Sequence, residues 1–571
     1  MGYVELEPSG GAGRKQSAQR GVRLDPRVTL GELGRVHTQQ AYPSAVPAGE
    51  GVPVGHPGHD ARGGRRRIGR GRVRRRPRAA GRQNEAETRQ AEQRRSVHAP
   101  TIYGEPGAMA PPAYQIERTT TLPVSPEEAF AWHERAGAFE RLAPPWERLD
   151  VLERSQGIRD GARTVLRVHV GPVATKWVAV HRDYIAARQF VDEQVEGPFA
   201  HWVHRHLFEP IGPDATRYTD RIEFAPPFGT LGAAAGMWLA RPRAERMLAY
   251  RHETVRADLA AHHRFRDRAP IHVAITGASG LIGSALTPYL STGGHRVTPV
   301  TRKPGVPNAI HWNPATGAID AGAFEGLDAV VHLAGENVGV RWTAERKRRM
   351  WDSRVGGTRL LAETLARLER PPRVLVSASA MGIYGDRGDE WLAEDAVPDG
   401  PPSDFFVELG REWEKATEPA RDAGIRVVCV RSGLILTPAG GALAHMLPPF
   451  RLGVGGPIGN GRQWVSWISM DDEIGALHHA LFTEDLSGPV NLVAPQPVTS
   501  REFAGTLGRV LHRPAVIPAP APALKLLFGE MAETALLGSQ RLSSARLAAS
   551  GYTFRHEGLE QALRHVLGVR S

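Results

Sequence analysis

Cysteine is almost missing: Cys429 is the one such residue in 571. A lone thiol cannot close a disulfide within the chain. This one lies in the apolar run Val427-Val428-Cys429-Val430 and reads as the buried, inert thiol of a protein kept in a reducing compartment, the cytoplasm. Long apolar runs are missing too. The uncharged stretch 224–240 is interrupted by Pro226, Pro227, Gly229, Gly232 and Gly236 and falls short of the ~20 apolar residues that span a bilayer, so it is a loop or helix outside any membrane. Net charge is missing from most of the chain: residues 1–100 carry 20 Arg and Lys against 9 Asp and Glu, and the other 471 carry 52 of each. The formal +11 therefore belongs to the N-terminal stretch and says nothing of the folded part.

That stretch holds Arg65-Arg66-Arg67 and Arg74-Arg75-Arg76-Pro77-Arg78, few aromatics and no sustained apolar periodicity, so 1–111 is expected to be a disordered tail. It has no apolar core of a secretory signal. An arginine-rich arm can hold nucleic acid. However, no Met falls between Met1 and Met109, and the folded pattern begins just after Met109, so an over-extended reading frame accounts better for the composition and nucleic acid is not the expected partner. At roughly 150 residues per domain the chain makes three or four domains, and 41% hydrophobic with 23% charged residues makes most of it globular.

From Tyr114 onward the pattern is strand, short helix, a series of strands, then a long helix. Ser125 precedes Pro126-Glu127-Glu128, an N-cap with proline and acids in the first turn. Period-2 runs at 163–170, 174–182, 188–194, 201–209 and 216–224 are separated by turn residues, and 241–265 carries Leu248, Val255, Leu259 and His262 at helical spacing. The segments Gly197-Pro198-Phe199-Ala200-His201-Trp202-Val203-His204-Arg205-His206-Leu207-Phe208 and Thr219-Asp220-Arg221-Ile222-Glu223-Phe224 resemble the START-like, polyketide-cyclase-type superfamily. The resemblance covers 112–265 and implies an α+β helix-grip domain with an apolar ligand. On a strand His204 and His206 share a face with Trp202 while His201 points the other way, so packed or rim histidines are expected here and no metal.

At 271 the pattern changes to βα alternation. The strand 272–276 is followed by Gly277-Ala278-Ser279-Gly280-Leu281-Ile282-Gly283, and Leu281 opens a helix that stops at Gly293-Gly294. In this context the glycines serve a tight turn, close approach of a pyrophosphate and helix-on-strand packing, with the helix N-terminus facing the phosphates. The second strand ends in Thr301-Arg302-Lys303, where an NAD site would place an acid; two cations suit a 2′-phosphate, so NADP is expected over NAD. Further alternation (329–333, 344–370 with a break at Gly356-Gly357, 374–379, 404–423, 426–436) predicts a doubly wound parallel sheet.

The Gly277 turn, Leu333-Ala334-Gly335 and Ser377-Ala378-Ser379-Ala380 resemble the extended short-chain dehydrogenase/reductases. Glu336-Asn337, Trp342, Ser353-Arg354, Arg431-Ser432-Gly433, Gly440-Gly441-Ala442-Leu443, Gly455-Gly456-Pro457-Ile458-Gly459, Trp464 and Trp467 extend the likeness over 271–570 to the epimerase family with a C-terminal domain of unknown function. That resemblance implies a Rossmann domain at 271–494, a helical cap at 495–570, and a cofactor site formed by Gly277 to Gly283, Thr301, Arg302, Leu333, Ala334, Gly335, Arg354 and Arg431. It also implies a catalytic Ser at Ser379, with a Tyr and a Lys four residues later to move the proton. Alignment on Glu414 puts Phe406 and Gly410 at those two places, and neither transfers a proton. Tyr384 is the remaining candidate, as an acid or in a packing or pocket-wall role. Trp464 and Trp467 either face a polar ring or pack the C-terminal lobe. Two functions stay open: an NADP-dependent oxidoreductase or epimerase-like enzyme on a small substrate, and a non-catalytic NADP(H)-responsive sensor or assembly protein.

Overall fold

The computed structural model describes residues 114–569 apart from 156, 172, 228, 398–401 and 403, and only the backbone of 229–237 and 239. The arginine-rich stretch 1–111 and the start of the expected ligand-binding domain at 112 lie outside the described residues.

Alternating strands of the first part form one antiparallel sheet from β1 (Tyr114–Leu122), β2 (Leu149–Arg154), β3 (Arg163–Val170), β4 (Val173–Ile185), β5 (Gln189–Glu196), β6 (His201–Gly212) and β7 (Ala215–Ala225), in the order β1-β7-β6-β5-β4-β3-β2. Helix α1 (Pro126–Glu134) starts where the caps require, with Ser125 Oγ accepting from the Glu128 N–H. After the short α2 (Ala138–Leu142), the uncharged stretch proves helical from its middle: α3 runs Gly229–His263 along β1. Its Leu248, Val255 and Leu259 are buried against the sheet. Inside this grip Phe130 meets Phe190 and Phe208 edge-on, with centroids 6.0 and 5.3 Å apart, and Phe190 stacks on Phe208 at 6.2 Å.

The second part is an eight-stranded sheet of β8 (His272–Thr276), β9 (Arg296–Thr301), β10 (Ile310–Asn313), β11 (Ala318–Ile319), β12 (Ala329–His332), β13 (Val374–Ala380), β14 (Arg426–Ser432) and β15 (Gly488–Leu492). The order is β11-β10-β9-β8-β12-β13-β14-β15, parallel except for the β10–β11 hairpin. Val374 and Val376 enter one core and Leu375 the other, as expected of strands covered on both faces. Helix α4 (Leu281–Thr292) covers the first face. The break expected at Gly356-Gly357 is instead a continuous helix, α5 (Ala344–Trp351) passing through a π-helical segment, Asp352–Gly356, into α6 (Gly357–Ala366). Then follow α7 (Phe405–Lys415), α8 (Glu418–Asp422), α9 (Gly441–Arg451), α10 (Met470–Phe482), α11 (Ser500–Leu511), α12 (Ala521–Phe528) and α13 (Leu559–Leu567); α9, α11 and α13 share the C-terminal core.

The two sheets belong to one body. Gly137, at the start of α2, lies so close to α4 that a Cβ there would sit 2.6 Å from the Pro288 Cα. Beside it Arg141 donates to Asp258 on α3 and Asp471 on α10, each at 2.8 Å, and Arg555 closes the quartet on Asp258 at 2.9 Å.

Candidate active site

The glycine-rich turn is built by close approach. Gly277 adopts φ +69° and touches the end of β12, where a Cβ would lie 2.9 Å from the Leu333 carbonyl carbon. A Cβ on Gly283 would lie 2.3 Å from the Gly277 oxygen, so the first turn of α4 packs directly on the loop. The Gly280 N–H donates to the Gly277 oxygen at 2.8 Å; no side chain caps α4 and no acid occupies its first turn, so its leading N–H groups and positive dipole end face outward past exposed Ser279. Ala278, Leu281 and Ile282 are half-buried around it.

A buried polar chain fixes the neighbouring strand end. Thr276 Oγ1 accepts from the N–H groups of Leu333 and Ala334 at 3.1 and 3.2 Å, which leaves its own proton for His332 Nδ1 at 2.7 Å. His332 Nε2–H then donates to Thr358 Oγ1 at 2.9 Å, which also accepts from Trp413 Nε1 at 3.0 Å. Burial pushes the His332 pKa down to about 4, so this chain is neutral. Sequence reasoning missed these four residues because their partners lie on separate elements.

Arg354 stands in the π-helical segment. Its guanidinium lies 5.0 Å over the Trp413 ring and 3.0 Å from where a Gly335 Cβ would be. Its Nη1 is sealed from solvent and has no hydrogen-bond partner among the described residues. Burial pushes its pKa down to about 10, so it is still a cation at neutral pH. Ser353 Oγ accepts from the Glu336 N–H, fastening the same loop. Arg302 and Lys303 are exposed just beyond β9, where Thr301 Oγ1 accepts from the Lys303 N–H.

Ser379, the last residue but one of β13, donates to Glu414 Oε1 at 2.6 Å. Glu414 is held by Arg431 through Nε and Nη2, both at 2.8 Å, and Arg431 Nη1 donates to the Tyr384 hydroxyl and the Glu394 carbonyl. The Tyr384 hydroxyl donates in turn to Asn491 Oδ1 at 2.7 Å, and the ring is wholly buried. Arg431 is 3% exposed with every donor nitrogen engaged, so the two residues brace the ends of the strands they join. Phe406 packs on Trp342 and against Gly382. Gly410 is buried against Ile383, where a Cβ would meet the Ile383 Cβ at 2.8 Å, leaving no room for a lysine.

Trp467 is buried with Nε1 bonded to the Gln496 oxygen, so it packs the C-terminal lobe. Trp464 is half-buried; its ring and that of Trp391 sandwich the Arg541 guanidinium at 3.9 and 4.1 Å. Glu473, at the start of α10, is also buried; it accepts from Ser432 Oγ at 2.6 Å, and desolvation pushes its pKa up to about 7.

The parallel order and the βα turn define a Rossmann-type protein of the extended short-chain dehydrogenase/reductase group. Family models match three segments: NAD dependent epimerase/dehydratase family over 273–492, a domain of unknown function (DUF1731) over 519–566, and polyketide cyclase / dehydrase and lipid transport over 122–249. An epimerase family protein of Mycobacterium bovis is 42% identical over 293 residues, 51% of this chain and 96% of that protein. The crystal structure of human epimerase family protein SDR39U1, determined with NADPH, is 38% identical, at TM-score 0.48, over 52% of this chain and 99% of that one. The nucleoside-diphosphate sugar epimerase structure from Corynebacterium glutamicum is 33% identical, with TM-score 0.64, over 79% of this chain and 90% of that chain, a share larger than either domain alone. The chain belongs to the epimerase family. No helix among the described residues is long and apolar enough to cross a membrane.

Proposed function

We propose that the chain binds NADP(H) at the Gly277 turn and uses it in a redox or epimerase-like step on a small substrate that meets Ser379. The sealed, unpartnered Nη1 of Arg354 carries this reading: a buried cation with a free donor fits an anionic cofactor. Gly277 and Gly283 let the loop close on the end of β12 and on α4, where any side chain would strike backbone, and this tight turn suits a phosphate. The α4 N-terminus suits a pyrophosphate, and Arg302 with Lys303 suits a 2′-phosphate, hence NADP before NAD. When bound, the nicotinamide supplies reversible two-electron redox chemistry. Ser379 orients a carbonyl or hydroxyl, with Glu414 holding its proton in place, and Phe406 with Trp342 keeps that corner apolar. The class named for the Corynebacterium relative, nucleoside-diphosphate sugars, is the first substrate panel to try.

A second reading, the non-catalytic NADP(H)-responsive protein, rests on Phe406 and on the tight packing of Gly410, which remove the usual proton carriers. Turnover separates the two. NADPH consumption or sugar interconversion by wild-type chain, lost in Ser379→Ala with nucleotide binding unchanged, supports the enzyme. Binding without turnover across carbonyl and nucleotide-sugar panels supports the sensor.

A further inference from the structure

The first domain hides a polar cluster where its fold calls for an apolar interior. Three adjacent strands bring it together: β5 supplies Asp192, opposite His204 of β6, and β7 supplies Asp220, opposite His206. His204 and His206 are 2% exposed and Asp220 is fully buried. The rings therefore face inward as the alternation demands, but among carboxylates rather than apolar groups alone.

The nitrogens sort themselves by partner. His206 Nδ1 lies 2.6 Å and His204 Nε2 3.4 Å from Asp220 Oδ1, so both rings turn one nitrogen toward the same carboxylate, and His206 Nδ1 is also hydrogen-bonded to the Tyr218 hydroxyl at 3.1 Å. The other nitrogens, His206 Nε2 and His204 Nδ1, lie 3.0 and 3.8 Å from Asp192 Oδ2, and His206 Nε2–H donates to that oxygen, a proton that a metal ion would replace. One donor atom from each of Asp192, His204 and His206 lies within 4.8 Å of the others. Four ligands at ~2.0–2.1 Å around a tetrahedral zinc ion stand about 3.3–3.4 Å apart, a value that the observed 3.0 and 3.8 Å bracket. The outer partners are also in place: Asp192 Oδ1 meets His181 Nε2 at 2.8 Å, and Asp220 Oδ2 meets His252 Nε2 at 3.2 Å.

We propose that Asp192, His204 and His206 form a binding site for a divalent transition-metal ion, zinc by geometry, inside the START-like domain, with Asp220 orienting both histidines. Three protein ligands leave one position for water or for a ligand of that domain. The site is independent of the nucleotide reading. The occupant that competes for it is a proton shared between His206 and Asp192.

The full chain, stripped with chelator and titrated with Co²⁺ and Zn²⁺, is expected to bind one ion there, with Co²⁺ giving the intense visible bands of a four-coordinate site. His206→Gln should abolish those bands, and Asp220→Asn should raise the Zn²⁺ Kd about 10- to 100-fold. Two other donor groups, His262 with His295 and His478, and Glu253 with His556 and His565, supply the control: His478→Gln should leave the bands unchanged. X-ray absorption of the wild-type zinc form needs no variant to fold and should show two imidazoles with oxygen. Absence of binding, three imidazoles in that spectrum, or loss of the bands in His478→Gln with retention in His206→Gln would overturn the proposal.

Discussion

Arg354 brings a positive charge into the Rossmann site and leaves Nη1 without a hydrogen-bond partner among the described residues. Such a group destabilises the free protein and rewards an anion, so Arg354→Leu should keep or raise the melting temperature while weakening NADPH about 10- to 100-fold, about 1.4–2.8 kcal/mol. Calorimetry with fluorescence titration on the same samples checks both signs. Glu473 makes a second residue-scale prediction. Its folded pKa of about 7 exceeds the ordinary 4.5, so the folded state holds a proton that the unfolded state has lost between those values. Stability from this group is full below pH 4.5 and gone above pH 7, a fall of about 3 kcal/mol. Glu473→Gln should therefore gain on wild type as pH rises from 4.5 to 7, read from urea midpoints at pH 4.5 and 8. Neither property is legible in the sequence: Arg354 can be placed at the cofactor from its motif, but its missing partner and the burial of Glu473 depend on packing.

At the scale of elements, Gly410 on α7 is fixed by the 3₁₀ turn Met381–Tyr384 beside it. Gly410→Ala pushes a methyl into Ile383 and should cost about 1–3 kcal/mol despite the higher helix propensity of alanine, as a lowered denaturant midpoint would report. The strands β1 and β3 and the turn before α4 are legible because alternation, caps and glycines all point the same way. Strand β2, with Asp150, Glu153 and Arg154, is an edge strand whose charged residues hide the alternation. Strand β15 is masked by Gly488 and Pro489, which read as a turn yet are tolerated at the sheet edge. The glycine pair 356–357 reads as a break, but a π turn keeps the helix continuous and swings Arg354 onto Gly335.

At the scale of the molecule, contacts from residues hundreds of positions apart join the two domains, which no local pattern announces. Removing Asp258 leaves Asp471 alone to balance Arg141 and Arg555 in a buried interface, so Asp258→Ala should cost about 3–5 kcal/mol and lower the melting transition of both domains together. His565 on α13 ties the C-terminal helix to the same junction through Asp471 at 3.0 Å and Glu253 at 3.2 Å, which pushes its pKa up to about 9. Its contribution is full below pH 6.5 and lost as pH rises to 9; His565→Gln should flatten that window of the stability profile. The nucleotide site depends on the framework these contacts hold. The most direct test is titration of the full chain with NADPH and NADH, followed by nicotinamide fluorescence, for wild type, Arg302→Ala and Arg354→Leu. Saturable binding that favours NADPH, loses that preference in Arg302→Ala and weakens for both nucleotides in Arg354→Leu is the predicted result. No binding of either nucleotide to the folded wild-type chain would contradict it.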